Sequence, residues 1–144
     1  MRTARHDADS ADAYHDVCAY TLTLGDPAFI HQHVVDAFAA QTADDRTRPI
    51  GVTFALVGLY LLIEKRFSGR HVQRVHMALA RHKEAWPTFA LPHDRGTMTA
   101  ADVVAAPAGP DRDRAIHAWC ASVWAAYGDS HGAVARLLER HQII

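Results

Sequence analysis

The chain has 144 residues, a formal net charge of −1 and an apolar fraction of 49%. That is the length of one ordinary domain, with enough apolar residues for a real core. The even charge excludes a general nucleic-acid grip, which needs clustered positive charge to displace counterions, and gives no reason to expect a membrane surface as partner. The stretch MRTARHDADSADAY holds no apolar segment of a secretory signal. The longest apolar run, IGVTFALVGLYLLI at 50–63, is 14 residues long, whereas a helix needs about 20 to cross a bilayer. Lys occurs only at Lys65 and Lys83, so Arg carries nearly all the positive charge, and with the abundant Ala this suggests a GC-rich bacterial genome. Cys18 and Cys120 are too few for a disulfide framework and read as reduced thiols of a cytoplasmic protein.

Residues 1–9 are charged and read as a disordered N-terminus, leaving 10–144 as a single helical domain. Ser10 is placed to cap a first helix carrying Tyr14, Val17 and Cys18 at helical spacing, and Gly25 to end it. Asp26-Pro27 reads as a second cap followed by proline at the first helical position. The sequence FIHQHVVDAFAAQ follows, with Ile30, Val34, Ala37, Phe38 and Gln41 on one stripe. The polar run 43–48 reads as a loop. Pro49 opens an apolar third helix that ends in Glu64, Lys65 and Arg66 and is expected to be buried all round. Ser68 caps a fourth helix with Val72, Val75, His76 and Leu79 inward, stopped at Trp86-Pro87. WPTFALPHDRG, with two Pro and a Gly, is an irregular connection. Thr99 and Asp102 have capping-box spacing ahead of a short helix, AADVVAA. A long helix from Pro110 places Ile116, Trp119, Cys120, Val123, Trp124 and Tyr127 on one face, and Gly128 ends it. Ser130 is placed to cap a last amphipathic helix with Val134, Leu137 and Leu138 inside. No stretch shows the period-two alternation of a strand. The expected fold is all-α: a single-domain bundle of five to six helices with short loops and one irregular Pro-rich connection.

Eleven histidines are many for this length. The densest polar cluster at helical spacing is His31, His33, Asp36 and Gln41. His33 and Asp36, three apart, share a helix face. Such a pair suits two metal ligands, or an imidazole oriented by a carboxylate as general base, or a structural hydrogen bond between helices. The short turn at Gly25-Asp26 predicts antiparallel pairing of the first two helices. Cys18 and His33 then lie about equally far from the bend, so Cys18, His33 and Asp36 converge. Thiolate, imidazole and carboxylate form a usable zinc set with a fourth position open, and Tyr14, His31 and Glu64 would lie nearby. The plainer readings are Cys18 as a small buried hydrophobe, His76 as a satisfied core histidine and Cys120, between two Trp, as an inert thiol.

The order Cys18, then His33-Val-Val-Asp36-Ala-Phe-Ala-Ala-Gln41, then an apolar helix with Gly58-Leu59 ending in Glu64, resembles an uncharacterised family of small bacterial helical proteins, catalogued only as a domain of unknown function. The resemblance covers roughly residues 14–127. It implies membership and carries no activity. The family pattern often reads H-x-x-V-D-x-Y-x-x-Q-H-P followed by a second His in the apolar helix. Here Phe38 stands in the place of Tyr, Thr42 in the place of His, and 50–63 holds no His. Cys18, His33 and Asp36 remain as the remnant of any metal set in that pattern, with His31 as a substitute.

Two functions of different class follow as expectations. One is a small metal-binding protein, with zinc or iron held by Cys18, His33 and Asp36, acting as a metal- or thiol-dependent enzyme. The other is a non-catalytic ligand-binding or protein-interaction module, with Trp119, Trp124 and Tyr127 plus Trp86 and Phe89 lining an apolar pocket or a homodimer interface. For that aromatic stripe plain core packing is the preferred reading. No Gly-rich phosphate loop or nucleophile elbow names a substrate or reaction.

Overall fold

The computed structural model describes the backbone of residues 4–144 and the side chains from residue 11 onward. Seven α-helices follow in order: α1 Ala4–Thr23, α2 His31–Thr42, α3 Pro49–Lys65, α4 Gly69–Ala80, α5 Ala100–Ala105, α6 Pro110–Ala126 and α7 His131–Arg140, with a 3-10 turn at Gly128–Ser130 before the last. No strand occurs among the described residues. The fold is all-α as the periodicity requires, with seven helices where five to six were expected.

Helix α1 starts at Ala4 rather than beside Ser10, which lies inside it. The residues before Ser10 include Ala4, Arg5 and Ala8, good helix formers. For the expected disordered stretch, residues 1–3 lie outside the described residues. The second helix begins later than its Asp-Pro signal. Asp26 does cap, since its carboxylate accepts from the N–H of Ala28 at 2.8 Å and of Ile30 at 3.3 Å. Phe29, however, sits at φ 61°, in the left-handed region, and breaks the turn. The break has a cause in packing. The Ala28 carbonyl accepts from the Arg70 N–H at 2.8 Å, capping α4, and the backbone at Phe29 lies so close to Gly69 that a Cβ there would meet the Phe29 carbonyl oxygen at 1.8 Å.

α4 also ends early, at Ala80 rather than at Trp86-Pro87, and Ser130 precedes α7 without a side-chain cap bond. Other start signals hold. The Ser68 hydroxyl accepts from the His71 N–H at 3.1 Å. Asp102 accepts from the Thr99 N–H at 2.9 Å, the reciprocal half of a capping box. Pro49 and Pro110 open α3 and α6 at the first turn.

Helices α2, α3 and α6 form the centre. α3 is buried on nearly every side, through Val52, Ala55, Leu56, Val57, Leu59, Leu61 and Leu62. Each such leucine contributes about 1.5–3 kcal/mol by leaving water. α1 and α2 run antiparallel: Tyr14 stacks on Phe38 at 3.8 Å between ring centroids, and the Thr21 hydroxyl lies 3.0 Å from His31 Nδ1. Those two pairings place Cys18 across from residues 33–35. α2 and α6 run parallel, because the Cys120 thiol donates to the His33 carbonyl and the Tyr127 hydroxyl to the Ala40 carbonyl, one constant offset along both helices. α5 packs on α1 and α6, α4 on α2 and α3, and α7 on α3. No helix among the described residues is long and apolar enough to cross a membrane.

Candidate functional site

Most polar groups in this core are satisfied. Gln41 is the fullest case: its amide nitrogen donates to the carbonyls of Met98 at 2.6 Å and Arg95 at 3.3 Å, and its oxygen accepts the Trp119 indole N–H at 2.9 Å. The Arg95 guanidinium returns the contact, donating to the carbonyls of Gln41 and Ala43 and closing the end of α2. Thr53 donates to the Pro49 carbonyl at 2.8 Å. Gln41 therefore ties the irregular connection to α2 and α6.

Two buried polar atoms stand apart. Among the described residues His33 Nδ1 and Asp36 Oδ2 have no hydrogen-bond partner, although His33 is only 7% and Asp36 only 4% exposed. An unsatisfied buried group costs about 1–3 kcal/mol, so two on one turn of one helix ask for an explanation. Asp36 fits only because α3 carries Gly58 opposite it: a Cβ there would meet Asp36 Oδ2 at 1.8 Å. Its other oxygen accepts from Gln32 Nε2 at 3.2 Å. Burial pushes the Asp36 carboxyl well above the usual carboxylate range, with the Gln32 hydrogen bond opposing. Burial drives the His33 imidazole down to about 4, with the nearby His117 adding to the shift and Asp26 opposing it. At neutral pH His33 is a neutral ring with a free nitrogen, the form in which imidazole ligates metals or accepts protons.

Around this pair lie groups from other helices. The Tyr14 ring covers Phe38, and its hydroxyl is pushed up by burial, then by Cys18 and by the charge of Asp36. Cys18 is half-buried, and burial raises its thiol. The Cys120 thiol, fully buried and also raised by burial, reaches the His33 carbonyl at 3.5 Å.

The antiparallel pairing thus brings Cys18 to the level of His33, and Tyr14 joins it. It does not assemble a ready ligand cage: among the described residues no group of three or more His, Cys, Asp or Glu side chains is placed to hold a metal ion. His31 is engaged with Thr21 in the α1–α2 seam. Glu64 accepts the Trp124 indole N–H at 2.8 Å, and it lies about 9 Å farther along α3 than Gly58 at 1.5 Å rise per residue. His76 is a satisfied histidine, with Nε2 at 2.8 Å from the Phe54 carbonyl oxygen. Gln32, Gly58, Cys120 and His117 were not singled out by sequence spacing as neighbours of this pair. Gly58 alone left a signal, as an isolated glycine inside an apolar helix, which marks close approach.

The aromatic stripe is core. Trp119, Trp124, Tyr127 and Phe89 are buried, and only Trp86 is partly exposed. Two open depressions of about 340 Å³ flank the turn at Asp94 and Gly96. Two of the polar residues lining one, Gln41 and Arg95, are already committed to backbone carbonyls.

No curated protein and no solved structure matches the chain. A family model does, over residues 4–128. That span takes in α1 through α6 and contains the whole His33–Asp36 neighbourhood, and the chain belongs to the family of unknown function DUF5946.

Proposed function

We propose that this is a small metal-binding helical protein, with Cys18, His33 and Asp36 as the ligands. The observation that supports this reading is the pair of unpartnered atoms, His33 Nδ1 and Asp36 Oδ2, on one turn of α2 in a core whose other polar groups are paired. An imidazole nitrogen and a carboxylate oxygen are hard-to-borderline donors, and the half-buried Cys18 thiol adds a soft one, a set that suits zinc or iron. The buried carboxyl and the raised thiol gain their charged forms only with a cation beside them, so uptake releases protons. Because among the described residues no three donors converge as the side chains stand, binding takes a side-chain rotation, for which the partly exposed Cys18 has the most freedom. A metal held by Cys18, His33 and Asp36 would supply Lewis-acid chemistry, activating a water or polarising a substrate oxygen. The alternative, a binding or dimerising module built on the aromatic stripe, has little support, since those rings are inside the core.

The test is metal content by plasma mass spectrometry on protein purified without a histidine tag, for wild type and for the Cys18→Ala/His33→Ala double variant. The expected result is about one zinc or iron per chain, lost in the double variant. Absence of bound metal, together with no uptake on reconstitution, overturns the reading and makes the His33–Asp36 pair structural.

A further inference from the structure

The last helix lies outside the family region, which ends at residue 128, whereas α7 spans His131–Arg140. An imidazole fastens each of its ends. At the start, the His131 ring lies flat on Trp124, 3.7 Å between centroids, and its Nε2 is 2.7 Å from the Trp124 carbonyl oxygen. At the end, the His141 side chain is 8% exposed, with Nε2 3.0 Å from Glu84 Oε1. The same carboxylate oxygen accepts from Arg140 at 3.2 Å. The His82 ring stands edge-on to His141 at 4.5 Å, and Trp86 lies beyond at 6.3 Å.

The backbone at this end is also unusual. The Ile143 N–H donates to the Leu138 carbonyl and the Gln142 N–H to the Glu139 carbonyl, both at 2.9 Å, a Schellman closure. It places Gln142 at φ 60°, in the left-handed region that favours glycine. A strained cap on the last turn therefore depends on what holds that turn in place. Glu84 and His82 belong to the irregular connection after α4, so this contact ties the start of the connection to the end of the chain.

We infer that His141 and Glu84 form a proton-dependent latch, which fastens the last turn of α7 to the irregular connection while the imidazole is protonated and loosens when the proton leaves. A hydrogen bond between two charged partners is roughly twice as strong as a neutral one, and an imidazolium at a helix C-terminus is further favoured by the dipole. Glu84 and His82 face His141 from the connection, and Arg140 comes from its own helix. Glu64, the acid of α3, is bonded to Trp124 instead. The Glu84 carboxyl is held below its usual range chiefly by the His141 hydrogen bond, with Arg140 adding to the shift. The latch is closed while Glu84 is ionised and the imidazole carries its proton, and it opens when that proton leaves. Val134, Leu137 and Leu138 stay buried, so the opening is confined to the last turn.

The test is amide hydrogen exchange at His141, Gln142 and Ile143, corrected for intrinsic rates, at about pH 5.5 and about pH 8, on either side of the imidazole range. Wild type should lose about fivefold in protection at the higher pH. Glu84→Gln and His141→Gln, which each keep a neutral hydrogen bond, should show no such change. Constant protection in wild type, or an undiminished change in Glu84→Gln, overturns the latch.

Discussion

The unpartnered imidazole of His33 makes a quantitative prediction about acid stability. Burial lowers this imidazole from its ordinary 6.5 to about 4. Between those values the unfolded chain holds a proton that the folded chain does not, so stability is complete above the unfolded value and is lost as pH falls toward the folded one. Each pKa unit is worth about 1.36 kcal/mol, which puts the loss at about 3 kcal/mol between neutral pH and pH 4. Asp36 works in the opposite sense. Its folded carboxyl keeps a proton that the unfolded one gives up, so its contribution falls as pH rises through the carboxylate range and beyond. The two effects separate in a variant that removes one of them. His33→Gln cannot titrate, while the carbonyl that accepts from Cys120 belongs to the backbone and remains. Urea unfolding of both proteins, in chelator, at pH values from 7 down to about 4 gives the difference directly. Wild type should lose about 3 kcal/mol relative to His33→Gln across that range. A stability difference that stays constant with pH would refute the reasoning, because it would mean that His33 reaches water and titrates normally in the folded chain.

Two further predictions concern the packing around the same pair and its neighbour. Gly58→Ala puts a Cβ onto Asp36 Oδ2 and should cost roughly 1–3 kcal/mol as overpacking; chemical denaturation should show the cost shrinking in an Asp36→Ala background, since the clashing carboxylate is then gone. Gln41→Leu strands the Trp119 indole N–H and removes the donor to the Arg95 and Met98 carbonyls. It should cost roughly 2–4 kcal/mol by thermal or urea unfolding, more than a same-size change at an exposed site.

The helices were legible because their signals are local. Ser68, the Thr99/Asp102 box, Pro49 and Pro110 act within one turn of themselves, and each marks a helix start in the structure. The start of α2 was misplaced because its determinant is tertiary. Asp26 caps as its sequence neighbours suggest, but Ala28 and Phe29 are recruited by the N-terminus of α4, some forty residues on. The level of Cys18 against α2 followed from loop length alone, since a short turn between helices leaves little choice but an antiparallel pair. What spacing could not supply was the third dimension around His33 and Asp36. That Gln32 bonds Asp36, that Gly58 makes room for its carboxylate and that Cys120 reaches the His33 carbonyl all depend on how α3 and α6 close over α2.

Gln41 and the His33–Asp36 pair sit on the same helix, within two turns, and are similarly buried. Their difference is what separates a structural polar residue from a candidate site. Gln41 makes three hydrogen bonds that join α2 to the irregular connection and to α6, so its burial is compensated and its role is visible in its contacts. His33 and Asp36 each leave one strong hydrogen-bonding atom idle. If they served only to hold helices together, an apolar pair of the same size would hold them better, because it would carry no desolvation cost. The fold even makes room for the less favourable choice, with a glycine in the middle of its most buried helix, where alanine would raise helix propensity by about 1 kcal/mol. Two costs borne at one point, an unsatisfied pair and a glycine kept to accommodate it, are the physical ground for proposing the site between α2 and its neighbours rather than in the open depressions of the surface.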